Sequence, residues 1–163
     1  MEEKVRKHIF IVGDDRVFTQ MLDYIFTKDV MYRFLDYSSG EDCIKNLHLK
    51  PEIIIIDYTL PGINGYDALL QIKESNPECY VIMLVDKEYR KMPSELLKAG
   101  ASDYIIKNDR LVNEIVRKIE VFLEKEKTRN IPAISSSLTP VMKAVGFVLL
   151  IILLLSIGFY YYL

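Results

Sequence analysis

Residues 52–65 read EIIIIDYTLPGING, and the fold turns on this stretch. Four consecutive isoleucines, Ile53 to Ile56, make an apolar run too short for a stable helix and wholly β-branched, which predicts a strand buried on both faces. The run stops at Asp57. A carboxylate where a buried parallel strand ends lies at the carboxyl edge of the sheet, the edge at which open α/β sheets hold their ligands. Residues 58–65 then supply a loop, because Pro61-Gly62 and Asn64-Gly65 are turn dipeptides that break helix and strand alike. The plainer alternative is that Asp57 only caps the next segment of chain.

Toward the amino terminus, HIFIV at residues 8–12 is a second short β-branched run, and Gly13-Asp14-Asp15 again delivers acids at a strand end. Val17, Phe18, Met21, Leu22, Ile25 and Phe26 recur at helical spacing and predict a helix over 16–28. Residues 32–37 read as a weaker strand. Ser39 can cap the next helix with Asp42 in the capping-box position, and that helix carries Cys43, Ile44 and Leu47 and ends before Pro51. Downstream come a helix over 66–75, a strand over 80–85 (YVIMLV), and an irregular charged stretch over 86–92. A short helix over 93–99 comes next, with Pro93 in its first turn and Gly100 as its left-handed stop. A strand over 103–107 and a helix over 111–124 complete the pattern. Five strands alternating with five helices imply a parallel α/β sheet covered on both faces, since each crossover must carry a helix.

The 163 residues allow one ordinary domain with an appendage, and half of them are apolar, enough for a core. A net charge of -2 with mixed signs along the chain gives no electrostatic case for nucleic acid. Cys43 and Cys79 lack metal spacing and read as reduced thiols of a cytosolic domain. The amino terminus has no apolar core of signal-peptide length. The opposite end differs: residues 144–163, AVGFVLLIILLLSIGFYYYL, carry no charge, and as a helix would span roughly 30 Å, the thickness of a bilayer's hydrocarbon core. A transmembrane helix over 141–163 is therefore expected, with Tyr160 to Tyr162 as an aromatic belt and Lys125, Lys127, Arg129 and Lys143 on the near side. That positive side predicts a cytoplasmic domain on a single-pass carboxyl-terminal anchor in the cell membrane. Residues 128–140, with two prolines and three serines, read as a flexible linker, leaving 1–127 as the folded domain.

Three strand ends carry polar groups able to converge: Asp14 and Asp15, Asp57, and Lys107. Carboxylates gathered at one sheet edge repel unless a cation joins them, and an open set of hard oxygen ligands suits Mg2+. A lysine beside it would pair with a phosphate as a point charge. A carboxylate nucleophile, a divalent ion and an ammonium are what phosphoryl acceptance on aspartate requires. Each group also has a plain reading, the acids as helix caps and Lys107 as a solvated strand end. His8 and His48 show no partners for catalysis.

HIFIVGDD, IIIIDYTLPGING and KAGASDYIIK, in this order and spacing, resemble the receiver domain of two-component response regulators over roughly residues 4–125. The resemblance implies a flavodoxin-like doubly wound sheet of strand order 2-1-3-4-5. It also implies Asp57 as phosphoacceptor, Asp14 as direct metal ligand with Asp15 beside it, the Thr59 carbonyl as a further ligand to Mg2+, and Lys107 as the phosphate contact. Tyr104 matches the aromatic switch position. Where the family has a first acid, a switch hydroxyl, a small residue and a proline, this chain has Gly13, Val85, Asp86 and Asn108. The partners implied are a histidine kinase or phosphotransfer protein and an output partner on the face of the fourth helix, fifth strand and fifth helix. No enzymatic or DNA-binding output domain is expected, so the chain is read as a signalling module and not an enzyme; the alternative is a degenerate receiver serving as a membrane scaffold.

Overall fold

Five apolar runs become five parallel strands in the computed structural model, which describes residues 7–14, 16–26 and 32–129. The strands are β1 (Lys7–Val12), β2 (Tyr32–Tyr37), β3 (Ile53–Asp57), β4 (Tyr80–Val85) and β5 (Asp103–Ile106), in the order β2-β1-β3-β4-β5. The helices are α1 (Arg16–Phe26), α2 (Gly40–Lys45), α3 (Gly65–Ser75), α4 (Pro93–Lys98) and α5 (Leu111–Arg129). The chain divides into two compact units, Met1–Val121 and Phe122–Leu163; the sheet lies in the first, and the described part of the second is the end of α5.

The central strand is apolar on both faces because both are covered: Ile53, Ile54, Ile55 and Ile56 are all fully buried. Burying each such side chain stabilises by about 2 kcal/mol. Strand β3 therefore gives Asp57 a rigid footing between β1 and β4. Register fixes what surrounds it. Val12 lies opposite Ile56, so the chain leaves β1 beside Asp57, while Leu84 of β4 lies opposite Asp57 itself. On the far side of β4, Val85 pairs with Ile106, which brings Lys107 and Asp86 off neighbouring strands together. The winding order reverses between β1 and β3, the switch point at which such sheets open a crevice.

One cap arises where the sequence places it, at Ser39, and a second, at Asn64, arises where the sequence reads only as a turn. Ser39 accepts the Asp42 N–H at 3.2 Å, and Asn64 accepts the Asp67 N–H at 2.9 Å. Gly100 takes φ +103° after α4. Cys43 and Cys79 are free thiols in the core, and burial pushes both up to about 12, so they stay protonated.

The structure corrects several boundaries. Helix α2 stops at Lys45 on Asn46, and a separate 3-10 turn, Leu47–Leu49, carries Leu47. Helix α5 runs to Arg129, so Thr128 and Arg129 are helical and do not open the linker. The Thr128 hydroxyl donates to the Glu124 carbonyl at 3.0 Å, and no proline intervenes before Pro132. Strand β5 ends at Ile106, one residue before Lys107. The expected last turn of the helix over 16–28, the remaining linker, the transmembrane segment over 141–163 and Asp15 lie outside the described residues. No helix among the described residues is long and apolar enough to cross a membrane.

Candidate functional site

Asp57 is a buried charged residue at the end of a wholly apolar strand, 8% exposed. Its two oxygens are divided between two donors. Oδ2 pairs with the Lys107 ammonium, and Oδ1 accepts the Thr59 N–H at 3.2 Å. Burial raises the Asp57 carboxyl above the ordinary aspartate range, while the Lys107 ion pair and the Thr59 N–H pull it back only in part, and Asp86 adds to the rise. For Lys107, burial acts to lower the ammonium. Its bonds to Asp57 and Asp86 together outweigh that, and its pKa ends above the usual lysine value. Asp57 is thus an ionisable carboxyl group held by a lysine that stays charged.

The loop carrying Thr59 is fixed from three sides. The Gly65 N–H donates to the Tyr58 carbonyl at 2.8 Å, and a Cβ at Gly65 would lie 2.2 Å from the Asp57 carbonyl oxygen, so the turn closes only with glycine. From α2, Glu41 Oε1 accepts the Ile63 N–H at 2.9 Å. From β4, the Tyr58 N–H donates to the Leu84 carbonyl at 2.8 Å.

A cleft of about 160 Å³ opens beside Asp57, lined also by Gly13, Asp14 and Lys107, with Phe18 and Leu84 as apolar walls. Asp14 is exposed at its rim. The donor set suits Mg2+, which is commonly held by one or two carboxylates with water completing its shell. It is a thin set: no group of three His, Cys, Asp or Glu side chains that could hold a metal gathers among the described residues. At Gly13 a Cβ would stand 3.8 Å from that of Asp57, an ordinary contact. The missing acid is therefore absent by sequence and not by lack of room.

Asp57, Lys107, Asp14 and the Thr59 backbone thus meet at one sheet edge. Val85 is fully buried at the end of β4, and Tyr104 is half-buried against the core on the outer strand β5, opposite Met83. The peptide linking Lys107 to Asn108 is trans. His8 and His48 are tied to the Leu49 and Lys45 carbonyls. Two residues make contacts in the site that a reading of the sequence misses. One is Glu41, whose brace on the loop only the tertiary structure reveals. The other is Asp86, legible as extra negative charge next to Val85 but not as a partner: its carboxylate lies 3.3 Å from the Lys107 ammonium and accepts the Thr59 hydroxyl at 3.1 Å.

Known proteins share this arrangement of sequence and fold. The family model for the response regulator receiver domain matches residues 9–131. The chemotaxis protein CheY of Thermotoga maritima is 33% identical over 102 residues, covering 62% of this chain and 85% of that protein. The response regulator GacA of Pseudomonas aeruginosa is 36% identical over 81 residues, 49% of this chain but only 37% of its own length. Among solved structures, the BeF3-activated DrrB receiver domain superposes with a TM-score of 0.62 at 26% identity, covering 74% of this chain and 99% of that one. The response regulator TrrA of Thermotoga maritima, solved in complex with Mg2+ and beryllofluoride, matches in fold with a TM-score of 0.59 at 22% identity, covering 71% and 97%. The chain belongs to the response regulator receiver domain family.

Proposed function

We propose that this receiver accepts a phosphoryl group on Asp57 from a histidine kinase or phosphotransfer protein. The observation that carries the reading is the division of the buried Asp57 carboxylate between the Lys107 ammonium and the Thr59 N–H, at the mouth of a cleft shared with Asp14. An Asp57 oxygen attacks phosphorus, the bond from phosphorus to the donor breaks with its electron pair leaving on the donor, and an acyl phosphate results. Lys107 stands beside the acceptor oxygen and stabilises the charge that gathers on the transferred group. Thr59 keeps the second oxygen in place, and the apolar walls Phe18 and Leu84 limit water. Asp14, Asp57 and the Thr59 carbonyl would hold Mg2+, with Asp15 beside them; when bound, the ion neutralises phosphate charge. TrrA, alike in fold, was solved with Mg2+ bound.

The uncharged run over 144–163 supports a membrane anchor, with the receiver on the cytoplasmic side and signalling through protein contacts at the face of α4, β5 and α5. Tyr104 on β5 fits an aromatic switch on that face. A second reading, a receiver serving as a constitutive membrane scaffold, is favoured by Val85, which brings no hydroxyl to a phosphoryl oxygen.

Incubating the full chain, in detergent micelles, with Mg2+ and acetyl phosphate and measuring intact mass separates the two. A phosphate-sized adduct absent in Asp57→Asn supports acceptance; no adduct in the wild-type chain leaves the scaffold.

A further inference from the structure

Asp86 comes directly after β4 and stands at the amino end of a 3-10 turn, Lys87–Tyr89, where an aspartate would ordinarily cap the turn's free N–H groups. It makes no such cap bond. Its side chain is turned instead to the acceptor site, where Oδ1 lies 3.3 Å and Oδ2 3.5 Å from the Lys107 ammonium, and Oδ2 accepts the Thr59 hydroxyl at 3.1 Å. Together with Asp57 these groups form a closed ring: Asp57 to Lys107, Lys107 to Asp86, Asp86 to Thr59, and Thr59 back to Asp57. Lys107 already serves two carboxylates before any phosphate arrives. A phosphoryl group on Asp57 would add negative charge next to the Asp86 carboxylate and would compete with it for the ammonium.

We propose that Asp86 is a displaceable anion, holding the Lys107 ammonium and the Thr59 hydroxyl until a phosphoryl group on Asp57 takes them over and repels it. The inference rests on phosphoryl acceptance by Asp57. It replaces a pull with a push: Val85 has no hydroxyl to draw the end of β4 toward the phosphate, whereas Asp86 carries a charge that drives residues 86–92 away from it. The motion has a route outward. Tyr89, at the end of the same turn, packs its ring at a tilt of 48° against Tyr58 on the loop that carries Thr59, with centroids 4.9 Å apart, so expelling Asp86 loosens this contact along with the Thr59 hydroxyl bond. The space to accommodate it exists, since Thr59, Asp86, Tyr89 and Lys107 line an open hollow of about 410 Å³. Asp86 is not a catalytic residue here; it positions Lys107 and Thr59.

The test compares the full chain in detergent micelles with Asp86→Asn and Asp86→Ser, using acetyl phosphate and Mg2+. Intact mass tracks adduct formation and its decay after donor removal, and hydrogen exchange tracks residues 86–92. Both neutral variants should half-saturate at a donor concentration lower by about threefold or more and keep the adduct longer by a similar factor, differences that shrink in 1 M salt because repulsion is screened. Exchange over 86–92 should rise on phosphorylation in the wild-type chain and change little in the variants. If Asp86 merely buttresses Lys107, both variants accept more slowly and lose the adduct sooner, the opposite sign, which overturns the proposal. No adduct in any of the three chains overturns the acceptor reading itself, and this inference with it.

Discussion

The two halves of one sheet edge differ in what they have kept. On the side of β1 and β3, the half that would accept a phosphoryl group on the proposed function and so the acceptor half, Asp57 is buried, paired and hydrogen-bonded, and Asp14 shares its cleft. On the side of β4, the half that would report that group and so the reporting half, a buried valine stands where the family has a hydroxyl, and an aspartate stands next to it. Lys107 joins the halves by touching both carboxylates. Binding a charge and reporting it are therefore separable demands on a fold. The first needs donors around one oxygen pair on a rigid strand, and the second needs a group whose preferred position changes when the charge arrives.

Removing the joint between the halves should have the largest effect. With Lys107→Ala, two carboxylates face each other and Asp57 keeps only the Thr59 N–H. Loss of a single charge-stabilising donor of this kind costs about 10²-fold in rate. Adduct formation from acetyl phosphate, timed by intact mass, should fall by that order. Burial and Asp86 already raise the Asp57 carboxyl, and losing the ammonium removes what opposes them. The remaining rate should therefore climb as pH rises through the elevated Asp57 pKa, because only the carboxylate attacks, and the climb should lie at higher pH than in the wild-type chain. A rate within twofold of wild type would show that Lys107 belongs to neither half.

Much of the acceptor half is legible because it is built from strand ends, and strand ends can be read from apolar runs. Ile53 to Ile56 announce β3 and so place Asp57; the same logic places Asp14 and, through residues 103–107, Lys107. The cap at Ser39 is local as well, whereas the one at Asn64 is hidden behind the turn signal of Asn64-Gly65. What the sequence does not reveal depends on tertiary neighbours. Glu41 lies far along the chain from the Ile63 N–H it braces, and no periodicity connects them. Asp86 can be seen as a charge, but its turning away from the local cap toward Lys107 and Thr59 comes from the register of β4 against β5. The continuation of α5 to Arg129 is hidden for the opposite reason. Its last turns carry exposed charged residues and pairs such as Arg129 with Glu126, whose apolar pattern fades although nothing breaks the helix.

A smaller perturbation tests the reporting half directly. Val85 is fully buried, so Val85→Thr introduces a hydroxyl into an apolar position without new volume to hold it. The unmodified variant should lose about 1–2 kcal/mol of stability, measured by denaturant unfolding. If the reporting half lacks only a hydroxyl, phosphorylation should recover part of that loss. Equal destabilisation with and without the adduct would mean that the end of β4 does not reach the phosphate, and that reporting must come from residues 86–92 alone.

The smallest expected effect concerns the acceptor half's own gap. Gly13 leaves β1 beside Asp57, with its N–H given to the Tyr37 carbonyl at 3.0 Å, and a Cβ placed there meets nothing closer than 3.8 Å. Gly13→Asp should therefore fold and add a carboxylate next to Asp14 and Asp57. Without metal the added charge repels its neighbours and costs up to about 1 kcal/mol, being partly solvated. With Mg2+ the same charge becomes a ligand, so stability measured at increasing Mg2+ should rise more steeply in the variant, with half-saturation at a metal concentration lower by up to about tenfold. The two shifts have opposite signs, which is what makes the experiment decisive. A variant destabilised without metal and indifferent to Mg2+ would show that the cleft does not gather a cation at all. The acceptor half would then be no more complete than the reporting one.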